Sequence, residues 1–341
     1  MGYKDKKYYK DLHQQAYDKL NAMQAFGESK KEAVLKGIDK KYKIYSFKTY
    51  QTYWEHCKGY ISYLKEAHPE CRNLKQARVY AGEWLQACMD KGMSAWTVQT
   101  KAKALGKLFG ISPGDPDYFT PPRRRREDIK RSRNERIRDR HFSKTNNDEL
   151  IKFCKGVGAR RAGLTKLRGK DLMTRGQIKA DATRLEELSK KKALSPEERS
   201  MLRICRDALL FEKSEFFVYL KEKGGRERIS PIVGPDVDAI VARFRARDPD
   251  EKVWQHVHSC ADIHAYRADY SNRIYRMYAR PIEDIPYDRV TKGGRRYQSG
   301  SYHCRLDEKG RVLDRQALLM ASKALGHNRV NVVAGHYLRG L

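Results

Sequence analysis

Apolar residues recur at helical spacing through the first third of the chain. Tyr50, Trp54, Cys57, Ile61 and Leu64 step by four and three, which marks one face of an amphipathic helix. Ala77, Tyr80, Trp84 and Cys88 predict a second helix. Val98, Ala102, Leu105 and Leu108 predict a third, with Ser94 placed to cap its start. PGDPDYFTPP then stops the helical period. Residues 7–37 read as one or two more polar helices. Beyond residue 145 the pattern is mixed. DELIKFCKGVGARRAGLTKL is helical but broken near Gly156 and Gly158, and residues 181–213 form a Lys/Glu-rich helical stretch. FFVYLKEKGGRERISPI predicts two strands around a Gly-Gly turn. Helices follow at 236–247 and 260–279, then at about 314–325 and 330–339. A second hairpin is expected within RRYQSGSYHCRLDEKGRVLD. The expected class is therefore an all-α module followed by an α+β domain, with no internal repeat.

This division suits a chain of 341 residues. We take 1–39 as a helical extension, 40–120 as the helical module, 121–144 as a linker and 145–341 as the mixed domain. The linker, PPRRRREDIKRSRNERIRDRHFSK, has only Ile129, Ile137 and Phe142 as large apolar residues. Such a run is a solvated segment in isolation and a phosphate-binding strap when a polyanion is present. Its candidate contacts are Arg123, Arg124, Arg125, Arg126, Lys130, Arg131, Arg133 and Arg136.

Charge changes the picture most. The formal net charge is +29, with +8 over residues 1–120, +7 over 121–144 and +14 over 145–341. A lone basic tail would leave the rest neutral. Here both modules are basic, as expected if both touch one polyanion. Charge alone fits a non-enzymatic binder as well as an enzyme. The 7 cysteines are dispersed and lack C-x-x-C, which argues against a disulfide framework and for a reducing compartment. No apolar run approaches a membrane span, and MGYKDKKYYKDL lacks a signal core, so a cytoplasmic protein with no membrane partner is expected. No phosphate-binding GxxxxGK[ST] occurs. His256, His258, Cys260 and His264 are closely spaced but lack a second ligand pair, so no metal is expected.

Six residues carry candidate chemistry: Arg160, Lys223, His264, Arg267, His327 and Tyr337. Arginine suits phosphodiester chemistry because its fork donates two parallel hydrogen bonds and keeps its charge. Arg160 lies in GARRAGL, with Arg161 as the register alternative. Arg267 closes HAYR, which puts His264 and Arg267 one helical turn apart. Lys223 sits at the hairpin turn in KGGRER, with Lys221 as competitor. His327 lies in LGHN, and Tyr337 follows it by ten residues, next to His336. Each alone is more commonly a surface or packing residue.

Taken together and in this order, the motifs resemble the tyrosine recombinase (phage integrase) family over roughly residues 40–341. The resemblance implies an all-helical core-binding (SAM-like) domain and a mixed α/β catalytic domain forming a C-shaped clamp on double-stranded DNA. It implies site-specific recombination through a 3′-phosphotyrosyl intermediate on Tyr337, without cofactor. Arg160, Arg267 and His327 would stabilise the phosphate, Lys223 would protonate the leaving oxygen, and His264 would accept a proton or polarise the phosphate. It further implies a homo-tetramer on DNA formed from free monomers and acting through a Holliday junction. A DNA-bending or directionality factor is a candidate partner. Integration or excision of a mobile element or phage, at the bacterial nucleoid, is the biology implied. A type IB topoisomerase-like enzyme and a non-catalytic DNA-binding regulator are the alternatives.

Overall fold

The computed structural model describes residues 10–39, 42–125, 141–222, 225–305, 308–327 and 329–338. The chain divides into two compact units, Met1–Asp128 and Ile129–Leu341. Among the described residues the second is mixed helix and sheet with small antiparallel sheets, an α+β arrangement, and no helix is long and apolar enough to cross a membrane.

The first unit is helical: α1 Leu12–Asn21, α2 Lys30–Leu35, α3 Phe47–Ala67, α4 Leu74–Ala77, α5 Ala81–Asp90 and α6 Ala95–Phe109. Ser94 accepts the Thr97 amide at the start of α6, and Gly110 ends that helix in the left-handed region at φ 69°. The segment expected as one helix around Trp84 is two, joined by a 3-10 turn at Arg78–Tyr80. Leu12, Ala16 and Leu20 of α1 share a core with Tyr60, Ile61 and Leu64 of α3 and Leu105 of α6.

In the second unit, α7 (Asp148–Val157) ends at Gly158, which is left-handed at φ 63°. After α8 (Arg161–Leu164) come β1 (Leu172–Thr174), α9 (Arg175–Lys191) and α10 (Pro196–Leu209). The charged 181–213 stretch is thus broken, because Ser195 and Glu198 cap each other reciprocally and Pro196 opens α10. β2 (Phe216–Glu222) pairs antiparallel with β1 and with β3 (Arg226–Pro231). Strand alternation sends Phe217 and Ile229 to one apolar core and Val218, Leu220 and Ile232 to another. α11 (Val237–Arg245) and α12 (Ile263–Tyr278) follow. α12 serves both cores, with Tyr266 in one and Tyr270 and Ile274 in the other. Two small hairpins come next. One is β4 (Arg289–Val290) with β5 (Arg296–Tyr297), which the sequence pattern did not predict. The other is β6 (Ser301–His303) with β7 (Val312–Asp314). The chain ends in α13 (Arg315–Ala324) and α14 (Val330–His336).

Asp314 locks α13 onto α12. Its fully buried carboxylate accepts the amides of Gln316 and Ala317 as N-cap and pairs with Arg280 at 2.8 Å, while its own amide donates to the Tyr275 hydroxyl. We expect Asp314→Ala to lower stability by about 2–4 kcal/mol, from the lost cap and the buried donors left unpaired, measured by urea unfolding.

Candidate active site

The site forms where two helices end. The last carbonyls of a helix carry partial negative charge and lack intrahelical partners. Gly158, just past α7, and Leu325, just past α13, present two such carbonyls to the same place. Arg267 from α12 donates one guanidinium nitrogen to each. Arg228 from β3 bridges the same two oxygens, each at 3.3 Å. Both glycines beside these carbonyls are structurally required. Gly158 has positive φ, and a Cβ there would strike the Tyr270 ring. Gly326 has φ 68°, and a Cβ there would press on Arg228.

Two buried guanidiniums on the same pair of carbonyls need a full negative charge, and Glu222 supplies it. Its side chain is 2% exposed. It pairs with Arg228 at 3.0 Å, accepts the Arg160 amide at 2.6 Å and pairs with the Arg160 guanidinium. Burial acts to raise the Glu222 pKa, but Arg228, Arg267 and Arg160 outweigh it and hold the carboxyl below its ordinary range. Burial and the neighbouring Arg267 push Arg228 down to about 9, still protonated at neutral pH. Burial likewise lowers Arg267, opposed by Tyr337 and Glu222. Three guanidiniums meet one carboxylate, so the cluster keeps surplus positive charge. Arg160, whose side chain is 34% exposed, opens it to solvent.

Tyr337 closes the arrangement as the last residue turned by α14. Its ring lies 5.6 Å from the Arg267 guanidinium carbon, 5.2 Å from the ring of His264 and 5.3 Å from that of His327. His264 is exposed and Arg267 buried, one turn apart on α12. His327 is held by its backbone, its amide donating to Ser322 O at 2.8 Å and its carbonyl accepting the Ser322 hydroxyl at 2.9 Å. Burial and then Arg267, Arg160 and Arg228 push its pKa down to about 4, so its ring is neutral at pH 7. Two buried nitrogens beside Tyr337, Arg267 Nε and His327 Nε2, have no partner among the described residues.

Five of the six sequence candidates are therefore close together: Arg160, His264, Arg267, His327 and Tyr337. Lys223 lies outside the described residues. Its competitor Lys221 pairs with Glu227 at 3.0 Å on the exposed face of the hairpin. Arg161 donates instead to the carbonyls of Val257, His258, Ser259 and Ala261, holding that loop in place. In the same loop His258 Nδ1 accepts the Cys260 amide. Among the described residues, no cluster of His, Cys, Asp or Glu is placed to hold a metal ion. Of the basic run, Arg124 sits over the Trp96 ring at 5.5 Å and Arg123 and Arg125 are exposed. Arg126, Lys130, Arg131, Arg133 and Arg136 lie outside the described residues.

Sequence reasoning missed Glu222 and Arg228. The signal was the alternation Val218, Leu220, Glu222, which carries a carboxylate onto a buried face. Arg228 shares that face, opposite Leu220. No family model matches this chain, and no curated protein matches it.

Two outcomes follow. Glu222→Gln leaves three guanidiniums around a neutral side chain and should cost about 3–5 kcal/mol in urea unfolding. His327 has a folded pKa below its unfolded value, so it binds fewer protons when folded. Its contribution to stability is complete above pH 6.5 and is lost as pH falls toward about 4. The midpoint of thermal unfolding should therefore fall less steeply between pH 6.5 and 4 in His327→Gln than in the native protein.

Proposed function

We propose that this protein is a tyrosine site-specific DNA recombinase. The observation that carries the reading is the cluster around Tyr337. Residues from segments as far apart as Arg160 and Tyr337 surround one phenol with surplus buried positive charge and unpartnered nitrogens. That is the environment a phosphodiester needs as negative charge builds on its nonbridging oxygens. The net charge of +29 supports a nucleic-acid partner, as does its spread through both parts of the chain.

In the proposed reaction the Tyr337 oxygen attacks the scissile phosphorus. A tyrosyl O–P bond forms and the bond to the 5′ oxygen breaks. Arg160 and Arg267 brace the nonbridging oxygens. His327, neutral at pH 7, hydrogen-bonds one of them through Nε2. His264 takes the phenol proton or polarises the phosphate, and Lys223 gives a proton to the departing 5′ oxygen. A 5′-hydroxyl from the partner strand then reverses the step and restores Tyr337. The phosphodiester energy is kept in the covalent intermediate, so no nucleotide is consumed. Each of the two basic units would contact duplex DNA, and strand exchange would take place within a tetramer.

The test is covalent trapping on nicked suicide duplexes from the ends of the element that encodes the chain, run on a denaturing gel. Native protein should give a 3′-linked adduct, and Tyr337→Phe should give none while still binding DNA. Intact sequence-specific binding without an adduct would make the protein a DNA-binding regulator. Supercoil relaxation without exchange between two marked duplexes would make it topoisomerase-like.

A further inference from the structure

The hairpin of β4 and β5 takes no part in the chemistry around Tyr337. Arg289 stands opposite Tyr297 and Val290 opposite Arg296. The Thr291 amide donates to Arg295 O at 2.9 Å, and Gly294 makes the turn at φ 79°. Every residue from Arg289 to Tyr297 is exposed, with Val290 at 62%. A two-stranded ribbon that buries neither face has little reason to persist in water. Its base, however, is firmly built. Ile285 is buried, and the Gln298 amide group donates to the carbonyls of Ile282 (3.0 Å) and Ile285 (2.6 Å). The Asp288 carboxylate accepts the Ser299 amide at 2.8 Å and its hydroxyl at 2.5 Å. The result is an arm anchored at its root and bare along its length.

The arm is also strongly cationic. Arg289, Lys292, Arg295 and Arg296 fall within nine residues that contain no carboxylate. None of them lies within ion-pair distance of a described carboxylate, although Arg289 interacts electrostatically with the neighbouring Asp288 and Arg296 donates to Tyr287 O at 3.0 Å. Four cations this close repel one another in the free protein, and a row of phosphates would relieve that repulsion. Tyr287 and Tyr297, 57% and 43% exposed, flank them with hydroxyls suited to phosphate oxygens.

We propose that this ribbon is a second DNA contact of the C-terminal unit, docking in the major groove with its cations against the bordering phosphates. The major groove of undeformed duplex, roughly 12 Å wide, admits a two-stranded ribbon, whereas the minor groove, roughly 6 Å wide, must be widened to take one. The inference rests on duplex DNA being the partner, and is independent of the bond-making step at Tyr337.

The experiment uses the full chain and a generic duplex, with affinity measured from 50 to 200 mM salt. The first variant carries Arg289→Gln, Lys292→Gln, Arg295→Gln and Arg296→Gln together. The control removes four other exposed cations, from α9 and α10: Lys179, Lys190, Lys191 and Arg199. Four lost phosphate contacts should lower the slope of log affinity against log salt by about 3 to 4. The control should leave the slope within about 1 of the native value. Equal slopes in both variants, or a slope unchanged in the first, would overturn the proposal. The second of these results leaves an acidic protein as the partner to look for. Suicide-duplex trapping at low salt separates this question from the chemistry. An adduct with an unchanged slope removes the ribbon contact and keeps the recombinase reading. A reduced slope without an adduct in native protein does the reverse. Failure of the native chain to bind duplex DNA removes both.

Discussion

One buried carboxylate holds the C-terminal unit's polar centre together. Glu222 faces the guanidiniums of Arg160 and Arg228 directly and lowers the cost of burying Arg267 beside them. Each arginine arrives from a different element: the end of a loop, a strand and the central helix. Without the carboxylate, charge repulsion would push these segments apart, and the carbonyls of Gly158 and Leu325 supply only partial charges in its place. The apolar cores on either side of the sheet provide most of the driving force for folding. The Glu222 cluster fixes how their edges meet.

The same cluster links architecture to chemistry. Its arginines outnumber its acid, so the protein stores positive potential where Tyr337 is held. A neutral His327 and the unpartnered Arg267 Nε add directional polarity without adding carboxylates. Such a site is poorly suited to a cationic ligand and well suited to an anionic group that can sit between a phenol and a half-exposed arginine. Asp314, one helix away, does the complementary work. It fixes the start of α13, and with it the position of Leu325 and His327 at the other end.

Much of the fold was legible as period. The run from Tyr50 to Leu64 falls within α3, and Ser94 caps α6 where its spacing predicts. FFVYLKE and RERISP form the expected hairpin. Local signals also decided where elements end, as Ser195-Pro196 shows by dividing one charged helix into two. The β4–β5 ribbon was not legible, because Arg289, Lys292, Arg295 and Arg296 bury nothing and so leave no alternating apolar trace.

The sequence by itself determined the residue types available for chemistry, their order, the helical turn joining His264 to Arg267, and a net charge of +29. Tertiary structure alone decided which of these meet. It gave Arg160 to the cluster and Arg161 to a loop, though the two are adjacent, because the chain turns from extended backbone into α8 between them. It made Glu222 the counter-charge, since the exposed Lys221 and the buried Glu222 differ only by the pleat of one strand. Burial and proximity set the charge state of His327, and the arginines responsible, Arg267, Arg160 and Arg228, come from segments far away in sequence that no local pattern brings together.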